Sequence, residues 1–415
     1  MKRVKLGIFG MGRGAYLGRA AMLGDADIVA VCDNHEKRLE KGAKSFPEAV
    51  AYTSFEEFIK HPMDGVILAN NFHEHAPFAI KLLEKGINVL CECTSNSTMA
   101  EGVRLVRAAE KSSAIFMLAE NYPNMKFNRE MKRVCRGGTL GKILFAEGEY
   151  NHPADPMDIS FKKEYVYFPE HWRNFLPRSY YITHSLSPLM SATGAFPKKV
   201  TAFACPAPFD ADVPSASYSA GDKAAIIMIQ NDDGSVFRVT GCAAFGAHGN
   251  SYRICGTKGQ IENLRGMGEK VMLRYNSWEL PEGKEKTNCY EPSWDDKDEE
   301  LIEKTGHGGG DFLIVRDFVD CIKNGKPHQF DVYFATAMAS VAILSHRSIL
   351  EGGKVFDVPD FRLEEDKRRW ENDCETPFHY SDGRTPTIPC CSDPSYAPTQ
   401  KQMQLFRELV MDEKN

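Results

Sequence analysis

A strand-type apolar run, "VKLGIF", passes without interruption into "GMGRGA", Gly10 to Ala15. That junction limits the fold more than any other stretch of the chain. In its G-x-G-x-x-A pattern, Gly10 permits a tight turn, Gly12 lets the backbone approach a pyrophosphate, and Ala15 keeps strand and helix close. The helix that follows offers free N–H groups and a partial positive charge to phosphates. The context supports a nucleotide site, because Asp33 closes the next apolar run, "DIVAVC". An acidic group there binds a ribose 2′-hydroxyl and repels a 2′-phosphate. Asn34 and His35 follow with no adjacent arginine, so NAD is favoured over NADP.

The rest of the first third keeps the same rhythm. Further strand candidates are "DGVILA", "INVLCE" and "AIFMLA", separated by helical stretches such as "HAPFAIKLLEKG" and "TMAEGVRLVRAAEKSS". Continuous apolar strands alternating with helices predict a parallel, doubly wound sheet. After Asn121 the period changes. "KILFAEGEY", "KKVTAFAC", "AAIIMIQ", "SVFRVTGCAAF" and "SYRICGTKGQIENL" alternate as the strands of an open, mainly antiparallel sheet do. Two helical segments follow, and the Pro-, Asp- and Ser-rich end reads as a packed but irregular extension. The expected division is a nucleotide-binding α/β domain at 1–121, an α+β domain at 122–360 and the extension at 361–415. A chain of 415 residues is too long for one small core, which agrees with two domains.

The composition excludes several classes. A net charge of −6 argues against a basic nucleic-acid-binding face. No apolar run approaches the ~20 residues of a membrane span. The basic start is broken at once by glycines and Arg13, so it reads as a first strand and not as a signal peptide. Twelve dispersed cysteines suit reduced thiols in a cytoplasm.

Three short motifs invite chemistry. "CEC", Cys91 to Cys93, sets two thiols on one face of a strand, but no second paired element completes a zinc site, and no metal is expected. "HEH", His73 to His75, is expected to be a helix cap plus a surface histidine and not a pair of metal ligands. "HGGGD", His307 to Asp311, is similar to the oxyanion loop of lipases, but the chain lacks the G-x-S-x-G nucleophile that such a loop serves.

Taken together, these pieces resemble the Gfo/Idh/MocA oxidoreductase family, in which an N-terminal Rossmann domain joins a domain whose open sheet commonly mediates oligomerisation. The family's T-P-N-x-x-H segment corresponds to "NNFHEH" and its G-K-H-V-x-x-E-K-P segment to "GINVLCECT". "WRNF", "GTKG" and "GGKVFDVPD" follow in family order. "HSLSPLMSATGAFPKKVTA" places His184 at the family's catalytic histidine. Cys93 stands where the family has a lysine, Thr94 replaces the proline, and Tyr180 replaces an aspartate. A thiol is largely neutral at neutral pH and does not supply an ammonium's charge.

"AENYPN", "YITHSLSPL" and "GHGGGDFLIVRDFVDCIKNGKPHQFDVY" narrow the likeness to the family's glycosidase branch, the NAD-dependent retaining α-N-acetylgalactosaminidases, which also lacks the lysine. Departures from that branch are Ile182 for a proline and Ser185 and Ser187 for glycines. The resemblance implies catalytic roles for Glu120, Tyr150, Tyr181 and His184. It implies cofactor contacts from Gly10, Met11, Gly12, Arg13, Asp33, Asn70, His75, Glu92, Cys93 and Asn121. Substrate contacts fall on Trp172, Arg173, Tyr180, His307 and Asp311.

The implied chemistry is hydride transfer from a sugar C3 carbon to NAD, with His184 as base because its pKa lies near operating pH. A C3 ketone acidifies the C2 proton. A second base, Tyr150 or Tyr181, then promotes loss of the C1 substituent; water addition and return of the hydride complete a redox-neutral cleavage. The alternatives are a net NAD-dependent sugar or polyol dehydrogenase and a non-catalytic NAD-binding regulator. The partners implied are a small carbohydrate or glycoside and further copies of the chain, as a dimer or tetramer.

Overall fold

The computed structural model describes residues 3–153, 155, 158–206 and 221–411. Six parallel strands form the first sheet: β1 (Val4–Phe9), β2 (Ala26–Cys32), β3 (Val50–Tyr52), β4 (Gly65–Leu68), β5 (Asn88–Cys91) and β6 (Phe116–Leu118), in the order β3-β2-β1-β4-β5-β6. Leu6, Ile8, Val66, Ile67, Val89 and Leu90 are wholly buried because helices cover both faces. Each such side chain contributes about 1.5–3 kcal/mol of apolar burial. The strand order reverses between β1 and β4, so the crevice beyond the carboxyl ends of those strands is where such a sheet binds a ligand. The three-residue edge strand β3 escapes sequence reading, because its side chains are exposed or half-buried and show no apolar run.

The second sheet has nine strands: β7 (Ile143–Asn151), β8 (Pro197–Cys205), β9 (Ala224–Asn231), β10 (Val236–Thr240), β11 (Gly249–Gly256), β12 (Gly259–Asn263), β13 (Val271–Tyr275), β14 (Thr287–Tyr290) and β15 (Phe356–Asp357). Their order is β14-β13-β12-β11-β7-β10-β9-β8-β15, antiparallel except for the parallel pair β7–β10. One face packs on the helices Lys126–Arg136, Thr183–Thr193 and Val332–Leu350. A Cβ on Gly148 of β7 would lie 2.0 Å from the Ser185 carbonyl oxygen, so glycine is what lets the Thr183–Thr193 helix seat on the sheet. The two domains meet directly: the Leu118 N–H at the end of β6 donates to the Phe330 carbonyl at 2.8 Å.

The carboxyl-terminal segment, expected to be irregular, carries regular elements. It contains the helix Glu364–Trp370 and a helical segment from Gln400 to Met411 that widens to a π-type turn at Arg407. Between them the chain straps both domains. Ser381 donates from N and Oγ to Glu74 Oε1 at 2.7 and 2.5 Å, and Arg347 forms a bidentate pair with Asp373. Irregular backbone of this kind carries no periodicity, so its packing is invisible to pattern reading.

Candidate active site

Every strand of the crevice ends on a residue of the site. Beyond β1, Gly10 has φ +97°, and a Cβ there would sit 2.1 Å from the Ala69 carbonyl oxygen, so the turn admits only glycine. Beyond β2, Asp33 is buried and oriented by two backbone donors, Met11 N at 2.8 Å and His35 N at 2.9 Å. Arg38, one helical turn further on, brings a cation within 3.8 Å of Asp33, which the linear spacing had hidden. Replacing Asp33 with Ala is expected to weaken NAD binding about tenfold, the scale of one hydrogen bond to a charged group. It should also narrow the preference over NADP, since Arg38 would then face a 2′-phosphate unopposed. Titration with both dinucleotides checks this.

Beyond β4 and β5 lie Asn70, His75, Glu92 and Cys93. His75 is buried, and its Nδ1 donates to the Thr94 carbonyl at 2.7 Å, which leaves Nε2 as an acceptor. That Nε2 and Asn70 Oδ1 are both buried and without a partner among the described residues. Unsatisfied buried acceptors are rare unless a ligand completes them. With the open glycine loop and the oriented Asp33, they fit a dinucleotide. The surface histidine expected of "HEH" is corrected: His73 is buried against Phe378 and Tyr380 of the strap, and burial lowers its pKa to about 4. Its Nε2 meets the His379 carbonyl at 2.8 Å, a contact of the tertiary fold that no local pattern reveals.

Arg13, in the glycine loop, is held from two sides. Its Nε donates to Glu92 Oε1 at 3.0 Å and its guanidinium grips Asp311 in a bidentate pair, Nη1 to Oδ2 at 2.8 Å. Asn121 Nδ2 and His307 Nδ1 meet the same carboxylate at 2.7 and 3.1 Å. This is the duty of the "HGGGD" loop: it ties the second domain to the nucleotide turn. Asp311, expected to contact substrate, has its carboxylate committed to Arg13. His307, at φ +54°, turns its half-exposed ring toward Tyr122.

Beyond β6 lies Glu120, with no exposed surface. His184, at the start of the Thr183–Thr193 helix, donates from Nδ1 to Glu120 Oε1 at 2.9 Å, and Cys93 Sγ donates to Oε2 at 3.0 Å. Tyr122 N adds a third donor at 3.2 Å. Burial raises the Glu120 pKa, but the His184 imidazole and these donors outweigh it and hold the carboxylate below its usual range. Cys91 Sγ, two residues before Cys93, reaches only the Glu92 carbonyl at 3.2 Å. Among the described residues no cluster of His, Cys, Asp or Glu is placed to hold a metal.

Aromatic rings enclose the imidazole. Tyr122 stacks on His184 at 4.0 Å, while Tyr150 and Tyr181 meet it edge-on at 5.0 and 5.1 Å. Burial pushes the Tyr150 and Tyr181 phenols well up, with neighbouring Tyr181 and Glu92 adding to it respectively. Tyr252 Oη donates to the His184 carbonyl at 2.5 Å. Trp172 stacks on Phe72 at 5.1 Å, and exposed Arg173 lies over Trp172 at 4.4 Å. Tyr180, expected to contact substrate, is placed elsewhere. It is 1% exposed, packs on Phe378 and His346, and donates to the Ser97 carbonyl at 3.4 Å. The Arg178–Tyr181 turn sends neighbouring side chains to opposite sides, so Tyr181 faces His184 and Tyr180 faces the core. Tyr122 and Tyr252 went unassigned in the sequence. The first lies inside the quoted "AENYPN" segment, and the second shows only as an apolar position of an alternating strand.

Fold and site together describe an NAD-dependent enzyme built from a Rossmann domain and an open-sheet domain. Residues 4–120 match the oxidoreductase family with NAD-binding Rossmann fold, Gfo/Idh/MocA, and residues 197–370 match the glycosyl hydrolase 109 C-terminal domain. The chain thus joins a Gfo/Idh/MocA NAD-binding domain to a glycosyl hydrolase 109 C-terminal domain, and it is an NAD-dependent carbohydrate-active enzyme. A glycosyl hydrolase family 109 protein of Shewanella pealeana is 25% identical over 397 residues, covering 87% of this chain and 86% of that protein. Another from Shewanella baltica is 24% identical over 406 residues, covering 87% and 85%. Among solved structures, levoglucosan dehydrogenase in complex with NADH and L-sorbose is similar with a TM-score of 0.70 at 19% identity, covering 87% of this chain and all of that one. Myo-inositol 2-dehydrogenase from Lactobacillus plantarum has a TM-score of 0.66 at 18% identity, covering 86% and 100%. At these identities the structural likeness speaks for the fold.

Proposed function

We propose that this enzyme cleaves a glycoside without net redox change. The observation that carries the reading is the Cys93–Glu120–His184 chain: an imidazole oriented by a buried carboxylate whose other oxygen accepts from a thiol. When bound, NAD supplies a hydride acceptor, and later a donor, for the sugar's C3 carbon. Glu120 accepts from Nδ1–H, so Nε2 carries the lone pair that takes the C3 hydroxyl proton. Glu120 therefore acts through His184 and does not touch the sugar. Tyr150 and Tyr181, neutral at working pH, enter as proton donors. In one concerted step the acidified C2 proton passes to a phenol oxygen as that phenol's own proton passes to the departing C1 oxygen, so the C2–H electron pair forms the C1–C2 double bond as the C1–O bond breaks. Trp172 and Arg173 form the sugar-facing wall. The named glycosyl hydrolase relatives support this reading of the substrate class.

The experiment is incubation with aryl glycosides and NAD⁺, following aglycone release and NADH absorbance together. Release without net NADH is expected. Stoichiometric NADH would make the protein a net sugar dehydrogenase, and silence in both signals would leave a regulator.

A homo-oligomer and a reducing, cytoplasmic setting belong to the same proposal. The outer face of the second sheet carries half-buried Ile226 and Phe145 and exposed Met228 and Phe203, beside the Glu147–Arg238 and Glu147–Arg253 pairs, a surface suited to a second copy. All twelve cysteines are unpaired thiols, and among the described residues no helix is long and apolar enough to cross a membrane.

A further inference from the structure

The thiol of Cys93 donates to Glu120 but moves no proton in the proposed reaction. We infer that Cys93 is a positioning residue: as a neutral donor it anchors Glu120 so that the carboxylate holds His184 in the proton-accepting tautomer. The inference rests on the proposed role of His184 as base.

Four observations carry it. First, the thiol is 4% exposed and its Sγ lies 3.0 Å from Glu120 Oε2, while His184 takes the other oxygen, Oε1. The carboxylate is thus held from both sides and its plane is set. Second, burial and the Glu120 charge push the Cys93 thiol up, so it keeps its proton and serves as a donor at working pH. Third, the neighbouring thiol is a built-in contrast. Cys91 is the last residue of β5, two positions before Cys93 and likewise buried, but its Sγ donates to the Glu92 backbone carbonyl and not to Glu120. Fourth, the backbone of Cys93 is fixed independently, since its N–H donates to Glu92 Oε2 at 2.8 Å and Glu92 is held by Arg13.

The choice of a thiol has a physical consequence. An ammonium at this position would pair with Glu120 and cancel much of its charge. The imidazolium that forms when His184 accepts a proton would then face a neutralised partner and a nearby like charge. A neutral S–H fixes the carboxylate and leaves its charge to the imidazole alone. The site thereby favours a stronger base at the cost of direct stabilisation of an alkoxide on the sugar.

The test compares Cys93→Ala with Cys93→Ser in protein loaded with NAD. Selective ¹⁵N-histidine NMR reads the His184 tautomer without needing a substrate, and NAD retention reports whether the variants fold and bind. The Nδ1–H tautomer is expected to dominate in the parent and in Cys93→Ser, and to lose that dominance in Cys93→Ala. Turnover in Cys93→Ala should fall about tenfold, the scale of a mispositioned catalytic group, and the acid limb of its pH profile should move up by about half a pH unit as Glu120 loses a donor. Cys93→Ser should recover most of both. An unchanged His184 tautomer and pH profile in Cys93→Ala, with NAD still bound, would overturn the positioning role. A protein that shows the tautomer change but cleaves no glycoside would instead count against the proposed reaction while leaving the anchoring intact.

Discussion

His184→Ala is expected to lower turnover by about 10³-fold while NAD stays bound, measured as kcat beside dinucleotide affinity. The magnitude is that of a lost general base. Affinity should change little, because His184 reaches the second domain's tyrosines and Glu120, while the dinucleotide contacts proposed for Gly10, Gly12 and Asp33 lie on the first domain. The variant also leaves the buried Glu120 carboxylate with two donors instead of three, which lifts its pKa and adds a modest loss of stability. Turnover within tenfold of the parent would remove the imidazole from the mechanism. Residual activity that rises with added imidazole would assign the lost function to proton transfer and not to shape.

Asp311→Ala is expected to cost about 3 kcal/mol of stability and to weaken NAD binding with it. Asp311 is buried and joins Arg13, Asn121 and His307, so its removal leaves the guanidinium, among the described residues, with Glu92 as its carboxylate partner. Breaking one half of a buried ion pair costs more than the pair's net worth, because the surviving charge stays desolvated. The pH dependence has a definite sign. Although burial raises it, pairing with Arg13 and His307 holds the Asp311 carboxyl well below the usual range. A depressed folded pKa adds stability that is fully present above the unfolded value, about 3.9, and is lost as pH falls through the folded one. The stability gap between parent and variant should therefore be constant near neutrality and close below about pH 4. Thermal midpoints across that range test it, and a gap that persisted in strong acid would mean that Asp311 acts through packing and not through charge.

Gly10, Gly12 and Asp33 were readable because a nucleotide turn is a local event: strand, glycine and helix start are neighbours in the chain, and their order carries the geometry. The doubly wound sheet was readable for a related reason, since strands buried on both faces leave continuous apolar runs. His184, Tyr150, Tyr181 and Glu120 entered through resemblance. The fold brings three of them into ring or hydrogen-bond contact with His184, from strands and helices far apart in sequence.

What the linear order did not hold was direction. Tyr180 and Tyr181 are adjacent and chemically alike, yet one faces the core and the other faces the imidazole, because the tight 3-10 turn separates their side chains by about 120°. Asp311 had the chemistry of a sugar ligand, but its commitment to Arg13 depends on a helix of the second domain meeting the glycine loop of the first. Cys93 could be recognised in sequence only as a missing lysine. Its bond to Glu120 exists because β5 and β6 lie side by side and end at the same depth. Local backbone chemistry and apolar period thus determined which elements form and that the first strand turns on glycine into a helix beside Asp33. Which charges and donors face one another was decided by the packing of distant segments, since hydrogen bonds and ion pairs act over a few ångströms of space and not along the chain.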